Sequence, residues 1–262
     1  MAKKENFISI LITNYNKEKF IINSIKSILN QNYKNYEIIL FDDCSSDNSL
    51  KLINSFKKIK IIKNQKKKFK SPSLNQIHGV ISAFKKSRGN LICLLDSDDV
   101  FEKNKLKEIN NYFHQNHKID LLANLPNDKS YFKLKRKVVN NNIWPSIFPT
   151  SCISFRRKFF KNYKDFLKIN KFSNLEIDAR LIIYSYYKNN FDIIQKRLTK
   201  YIEDEKGIST IYKKFSINWW FKRKEAFDYL VFILEKRNLV FSKSLDYYAT
   251  NLVYFFLNLF KK

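Results

Sequence analysis

Three short apolar runs near the start of the chain each stop at a polar cluster. Phe7 to Ile12 runs into Thr13-Asn14-Tyr15-Asn16, Tyr36 to Phe41 into Asp42-Asp43-Cys44-Ser45-Ser46-Asp47, and Leu91 to Leu95 into Asp96-Ser97-Asp98-Asp99. Short runs rich in Ile and Leu suit strands buried on both faces. Between them the apolar residues change to helical spacing: Ile21, Ile25, Ile28 and Leu29, then Leu50, Ile53 and Phe56, then Ser73 to Ser87. Lys58 to Lys63 reads as a further strand, and Gly89 as a left-handed cap after the last of these helices. Repetition of strand, helix, strand implies an α/β fold with a mostly parallel sheet covered on both faces. Ligands of such sheets sit beyond the carboxyl ends of the strands, so the three polar clusters converge on one rim.

The third cluster carries a charge problem. LLDSDDVF (94–101) places three carboxylates within four positions of a chain that has 50 Lys and Arg against 24 Asp and Glu. Like charges this close repel unless a cation or hydrogen-bond donors hold them. Hard oxygens in a D-x-D arrangement suit Mg²⁺ or Mn²⁺, which bridge the oxygens of a diphosphate. The common nucleotide loops are excluded, because the only glycines are Gly79, Gly89 and Gly207 and neither GxGxxG nor GxxxxGK[ST] occurs. Asp47, alone at the end of its cluster, reads as a helix cap rather than a ligand.

Composition narrows the setting. Cys44, Cys93 and Cys152 are widely spaced and form no CxxC pair, which argues against a disulfide framework or a zinc site and for a reducing, cytoplasmic setting. The apolar stretch after the N-terminal lysines is too short for a signal peptide or a membrane span, so an unexported protein is expected. The net charge of +26 has two readings. One is a generic solvated lysine surface. The other is attraction to polyanions such as nucleic acid, an anionic membrane or phosphorylated small molecules, with the eight lysines between Lys57 and Lys70 as the densest patch. A nucleic-acid-binding role is disfavoured, because carboxylates at three strand ends would repel phosphate without a metal.

Taken in order, ISILITNYN, YEIILFDDCSSDNS, a helix containing Asn75 that closes on Ser87-Arg88-Gly89, and NLICLLDSDD resemble the nucleotide-binding half of a family 2 glycosyltransferase with the GT-A fold. The resemblance covers residues 6–115 and thins beyond. It implies a three-layer α/β sandwich and an inverting, metal-dependent transfer of a sugar from a nucleotide-sugar to a hydroxyl acceptor, with Mn²⁺ or Mg²⁺ as cofactor. Thr13, Tyr15 and Asn16 match the segment that packs the nucleotide base, and Asp43 the acid that hydrogen-bonds it, usually uracil. Asp96 and Asp98 match the D-x-D motif, with Asp98 as the more direct metal ligand and Asp96 nearer the ribose or metal-bound water; Asp99 orients its neighbours. Asn75 matches a polar contact of the preceding helix, although the arginine that often precedes it is missing here.

Later in the chain NLEIDARL matches the segment of the catalytic base, with its two acids separated. Asp178 takes the position of the second acid and is the expected base, with Glu176 as the alternative; a first-turn acid favoured by the helix dipole is the plain structural reading of either. A further diphosphate or metal contact is expected within YIEDEKGIS, where Asp204 stands at the place of a histidine and Lys206 is another source of charge.

The chain is expected to divide into a glycosyltransferase domain at 1–212, with a nucleotide half at 6–115 and an acceptor half at 116–212, and a C-terminal helical extension at 213–262. Ile217 to Leu234 and Leu239 to Phe260 read as two helices in which aromatics alternate with lysines. Their plain reading is packing against the sheet. Their functional reading is peripheral contact with an anionic membrane on the cytoplasmic face, anchored by Trp219, Trp220 and Lys222-Arg223-Lys224, which brings the enzyme to a glycan or lipid-linked acceptor in surface glycan or glycolipid synthesis. A non-catalytic protein that binds sugar nucleotides is the alternative that shares every feature except a working base.

Overall fold

A computed structural model of the chain describes residues 5–127, 148–167, 170–188, 190–205 and 207–259. The first half alternates as the apolar runs require: β1 (Ile8–Asn14), α1 (Ile21–Leu29), β2 (Tyr36–Asp42), α2 (Ser49–Ile53), β3 (Ile59–Lys63), α3 (Pro72–Lys86) and β4 (Leu91–Asp96). Then come β5 (Val100–Phe101), α4 (Lys105–Gln115), β6 (Leu121–Pro126), β7 (Ile153–Arg156), α5 (Arg157–Tyr163), α6 (Ile177–Tyr187), β8 (Phe191–Lys200), α7 (Ile208–Ile211), α8 (Ile217–Glu235) and α9 (Leu245–Leu259).

The described strands form one sheet in the order β3-β2-β1-β4-β7-β6-β8-β5. β3, β2, β1 and β4 are mutually parallel, as are β6 and β8. β7 runs antiparallel to both β4 and β6, and β5 to β8. The side-chain period of two explains the unbroken apolar runs. Ile8, Ile10 and Ile12 of β1 join the core beneath α1 and α4, while Leu11 joins the core beneath α3, α5, α6 and α8. The result is a three-layer α/β sandwich. α8 takes part in the second core through Ala226, Phe227, Leu230 and Ile233, which are fully buried.

One local expectation needs correction. No glycine among the described residues has a positive φ, so Gly89 is not a left-handed cap. α3 instead ends on an extended Ser87 (φ −89°, ψ 159°). Gly89 is needed because the chain passes close to β1: a Cβ there would lie 2.5 Å from the Ser9 amide nitrogen and 2.7 Å from the Phe7 carbonyl. The C-terminal basic residues make side-chain pairs within the chain. Lys222 pairs with Glu176, Arg223 with Asp246 and Lys224 with Asp228, while Trp219 packs edge-on against Trp220. Arg223 is buried, whereas Trp219, Trp220, Lys222 and Lys224 stay partly exposed.

The obstruction at Gly89 comes largely from backbone atoms, which cannot swing aside. Gly89→Ala is therefore expected to cost about 2 kcal/mol, lowering Tm by roughly 4–8 °C in thermal denaturation.

Candidate active site

The ends of β1, β2 and β4 lie side by side, with Asn14 opposite Asp42 and Thr13 opposite Asp96. They open into a cavity of about 970 Å³, lined also by α3, the 201–205 segment, the start of α6 and one face of α8. Each acid of the two strand-end pairs has a different environment. Asp42 is buried and accepts from Asn14 Nδ2 (2.7 Å), Ser45 N (3.0 Å) and Ser45 Oγ (2.6 Å), so it fastens the loop. Asp43 lines the cavity and accepts from Asn64 Nδ2 at 2.8 Å. Asp47 accepts from Glu18 N and Ser49 N, each at 2.9 Å, a structural role, although the N-cap position of α2 falls on Asn48.

The expected base-binding residues separate in the same way. Thr13 lines the cavity and donates to Asp96 Oδ1 at 3.0 Å. Tyr15 lines it too, with Lys67 Nζ 3.4 Å from its ring centroid. Asn16 has a positive φ of 51° and accepts from Ser46 N at 2.8 Å, so it shapes the loop behind Tyr15. Asn75 lines the cavity, but its side chain is spent on the Phe69 peptide, accepting from its N–H (3.0 Å) and donating to its carbonyl (2.9 Å). Its neighbour Gln76, which sequence reasoning passed over, donates to Asp96 Oδ1 at 2.9 Å. Position alone carried no signal for Gln76; the packing of α3 against β1 and β2, beside the end of β4, does.

Asp96 thus has two donors on one oxygen. Burial and the adjacent Asp98 nevertheless push its pKa up to about 6. Burial, Asp96 and Asp98 raise Asp99 further, to about 8, while it accepts from Ile202 N at 2.9 Å and so ties the D-x-D turn to the 201–205 segment. Asp98 pairs with Lys17 Nζ at 2.5 Å, and the same ammonium pairs with Asp204. Burial opposes the charge on Lys17, but Asp98 and Asp204 outweigh it and hold its pKa above the ordinary value. Lys206 lies outside the described residues.

This arrangement bears on the expected divalent cation. Among the described residues no three His, Cys, Asp or Glu side chains converge as a metal cage. Two carboxylates, Asp98 and Asp204, do converge on one positive charge, that of Lys17. Mg²⁺ and Mn²⁺ need only one or two protein carboxylates when water and substrate phosphates complete the shell, so the donor set fits such an ion.

Glu176 and Asp178 face the same cavity from the start of α6. Asp178 accepts from the Ala179 amide at 2.6 Å. Burial, followed by the neighbouring Glu176, pushes its pKa well above the ordinary carboxylate range, and Lys222 pulls in the other direction. The segment before them is held from below and from the side. Arg180, fully buried, donates to the carbonyls of Leu167, Lys171 (3.0 Å), Phe172 (2.6 Å) and Leu175 (3.0 Å). Glu225 of α8 accepts from Asn174 N and Nδ2, each at 2.7 Å. Lys222, Glu225 and Arg180 are site residues that local sequence pattern did not reveal as such, because two of them come from a helix about fifty positions later.

Comparison with known proteins was made against this geometry. Residues 9–179 match the family described as Glycosyl transferase family 2. A relative from Escherichia coli, UDP-Glc:alpha-D-GlcNAc-diphosphoundecaprenol beta-1,3-glucosyltransferase WfgD, is 32% identical over 137 residues, 52% of this chain and 47% of that protein. The chain spans less than half the length of the curated relatives it matches. Among solved structures, S. aureus TarS 1-349 in complex with UDP-GlcNAc superposes with a TM-score of 0.65 at 17% identity, covering 94% of this chain and 70% of that one. Mannosyltransferase PcManGT from Pyrobaculum calidifontis, in complex with GDP-Man and Mn2+, gives 0.63 at 13% identity, covering 94% and 68%. At these identities the structural likeness is one of fold.

Arg180 is the fastening on which the 170–178 segment depends. A lysine keeps the charge but lacks the planar fork that serves several carbonyls at once. Arg180→Lys is expected to cost about 2–3 kcal/mol, lowering Tm by roughly 4–12 °C, and to speed amide exchange at residues 171–176 in particular.

Proposed function

The chain belongs to glycosyl transferase family 2, and from that premise and the geometry of its cavity we propose that it moves a sugar from a UDP-sugar to a hydroxyl of a glycan or lipid-linked acceptor, inverting the anomeric centre. The observation that carries this reading is that Asp178 and the Asp96/Asp98 pair open into one cavity, so a base and a diphosphate site face the same reacting centre. The UDP donor is supported by the name of the E. coli relative and by the UDP-GlcNAc complex of TarS. The diphosphoundecaprenol in that relative's name supports a lipid-linked acceptor and a place in surface glycan synthesis. No helix of the described residues is long and apolar enough to cross a membrane, and work at the cytoplasmic face of the membrane is part of the proposal.

In this reading Tyr15 offers a ring face to the uracil, and Asp43 accepts from its N–H. Thr13 and Gln76 hold the Asp96 carboxylate steady for the ribose side of the donor. Asp98 and Asp204 would hold Mn²⁺ or Mg²⁺ in place of the Lys17 ammonium, and Asp96 faces the same charge. A divalent cation, when bound, supplies positive charge for the departing diphosphate. An acceptor hydroxyl is far too weak an acid to ionise at neutral pH, so Asp178 takes its proton as the oxygen attacks the anomeric carbon. Its raised proton affinity suits that task, since a base near neutrality is a better proton acceptor than an ordinary carboxylate. Glu176, held by Lys222, keeps a second negative charge beside the base.

Three measurements test the proposal. A panel of UDP-sugars and undecaprenyl-type acceptors with Mn²⁺ should give turnover, with Asp178→Asn lowering kcat by roughly 10²- to 10⁴-fold while UDP affinity is kept. UDP binding without turnover on any acceptor would show instead a protein that only holds sugar nucleotides. The pH dependence has a defined sign: Asp178 must be ionised, so kcat/KM rises with pH through an apparent pKa above the ordinary carboxylate range. Lys222→Met removes a charge that favours the ionised base and should move that limb upward. Lys17 competes for the carboxylates that would hold the metal, so Lys17→Met should tighten Mn²⁺ binding by roughly tenfold in calorimetry, equivalent to about 1.4 kcal/mol.

A further inference from the structure

Exposed apolar surface is concentrated at one place on this protein. Among the described residues, Tyr15 is the only exposed large hydrophobic outside 211–259; the others include Phe215, Ile217, Val240, Leu245 and Phe255. On α9 the exposed positions Leu245, Tyr248, Leu252, Phe255 and Leu259 recur at intervals of three and four, so they form one stripe along the helix. The stripe is not explained by core packing, because Thr250 is the only buried residue of α9. The opposite side of α9 is already used: Tyr254 meets Phe221, Asp246 and Thr250 meet Arg223, and Tyr247 meets Phe227. These contacts run in opposite order along the two helices, so α8 and α9 form an antiparallel hairpin. Its stripe therefore extends from Leu245 toward the α8 start, where Ile217 and Phe215 are 56% and 67% exposed.

We propose that this apolar edge of the α8–α9 hairpin docks in the plane of an anionic lipid bilayer. The charge distribution selects that occupant. The stripe itself carries no charge, while exposed Lys213 and Lys214 lie at one end of the hairpin and Lys236 and Lys243 at the other. A chain of net charge +26 is drawn to anionic headgroups, and apolar and aromatic side chains on one helical face enter the headgroup and acyl boundary. A second copy of the chain suits the stripe less well. Fifteen residues supply about two heptads, fewer than the three or four that sustain a coiled coil, and the flanking positions Ala249, Asn251, Phe256 and Asn258 offer no charges to set a register. The edge also adjoins the site: Trp219 and Lys214 line the cavity beside Phe215 and Ile217. A bilayer seated there faces the cavity mouth, which deepens the proposed use of a lipid-linked acceptor without depending on turnover.

The test is flotation of the full chain with phosphatidylcholine vesicles, with and without phosphatidylglycerol, at physiological ionic strength. The vesicles hold no glycan acceptor, so a chain inactive as a transferase still reports on the surface. Flotation with the anionic vesicles is expected, reduced roughly tenfold or more by the combined substitutions Leu252→Glu, Phe255→Glu and Leu259→Glu, with circular dichroism and UDP affinity unchanged. Failure of the unaltered chain to float, equal flotation of the substituted chain, or equal flotation with neutral vesicles overturns the proposal. A dimer in light scattering that the substitutions dissociate, with no vesicle binding, assigns the edge to a second copy instead.

Discussion

Crowding of like charge around one cavity is the constraint that the rest of this structure answers. Seven carboxylates line it: Asp43, Asp96, Asp98, Glu176, Asp178, Glu203 and Asp204. Six basic side chains share the same wall, Lys17, Lys67, Lys70, Lys214, Lys222 and Arg223, so the surplus is small although the protein as a whole is strongly basic. The placement of these cations matters more than their number. Lys17 sits between Asp98 and Asp204, and Lys222 sits on Glu176. Lys17 draws together two acids far apart in sequence and Lys222 ties α8 to the residue before α6, so charge balance and tertiary closure are the same interaction.

Where no cation pairs directly, burial raises the affinity of an acid for its proton. Asp99, with its pKa at about 8, is largely uncharged at neutral pH, which relieves its neighbours of one repulsion. Asp96, at about 6, lies close enough to neutrality that a nearby positive charge decides its state. Asp178 is raised by the same physics, and it stands beside Glu176, which is paired with Lys222. The site therefore holds acids in three conditions: neutralised by burial, clamped by lysine, and poised between.

Much of this was legible in the chain, and the boundary of legibility has a physical cause. The buried strands of β1, β2 and β4 announce themselves as apolar runs, and their polar ends had to meet because parallel strands share a rim. Asp43, Asp96, Asp98 and Asp178 followed from that rule and from motif order, and all four line the cavity. The residues that fasten them did not follow. Gln76, Lys17 and Arg180 are polar residues within or beside helices, where sequence periodicity distinguishes a solvated face from a buried one but not which partner a buried polar group meets. Asn75 and Asn16 show the converse, being polar residues at expected positions whose hydrogen bonds are spent on neighbouring backbone. Gly89 was read by its type as a cap, whereas close approach to β1, a long-range contact, is what excludes a side chain there.

The C-terminal basic cluster shows what composition leaves open when faces are unknown. Lys222, Arg223 and Lys224 are consecutive and point in different directions: Arg223 is buried with Ala226, Phe227 and Leu230, while Lys222 and Lys224 stay partly exposed. α9 is the helix left with its apolar stripe outside. The two helices thereby divide the labour. α8 commits its polar groups inward, Lys222 to Glu176 and Glu225 to Asn174, and α9 is tethered to it by the Arg223 pair with Asp246. That tether begins one residue from Lys222, so consecutive side chains of α8 hold α9 on one side and Glu176 on the other.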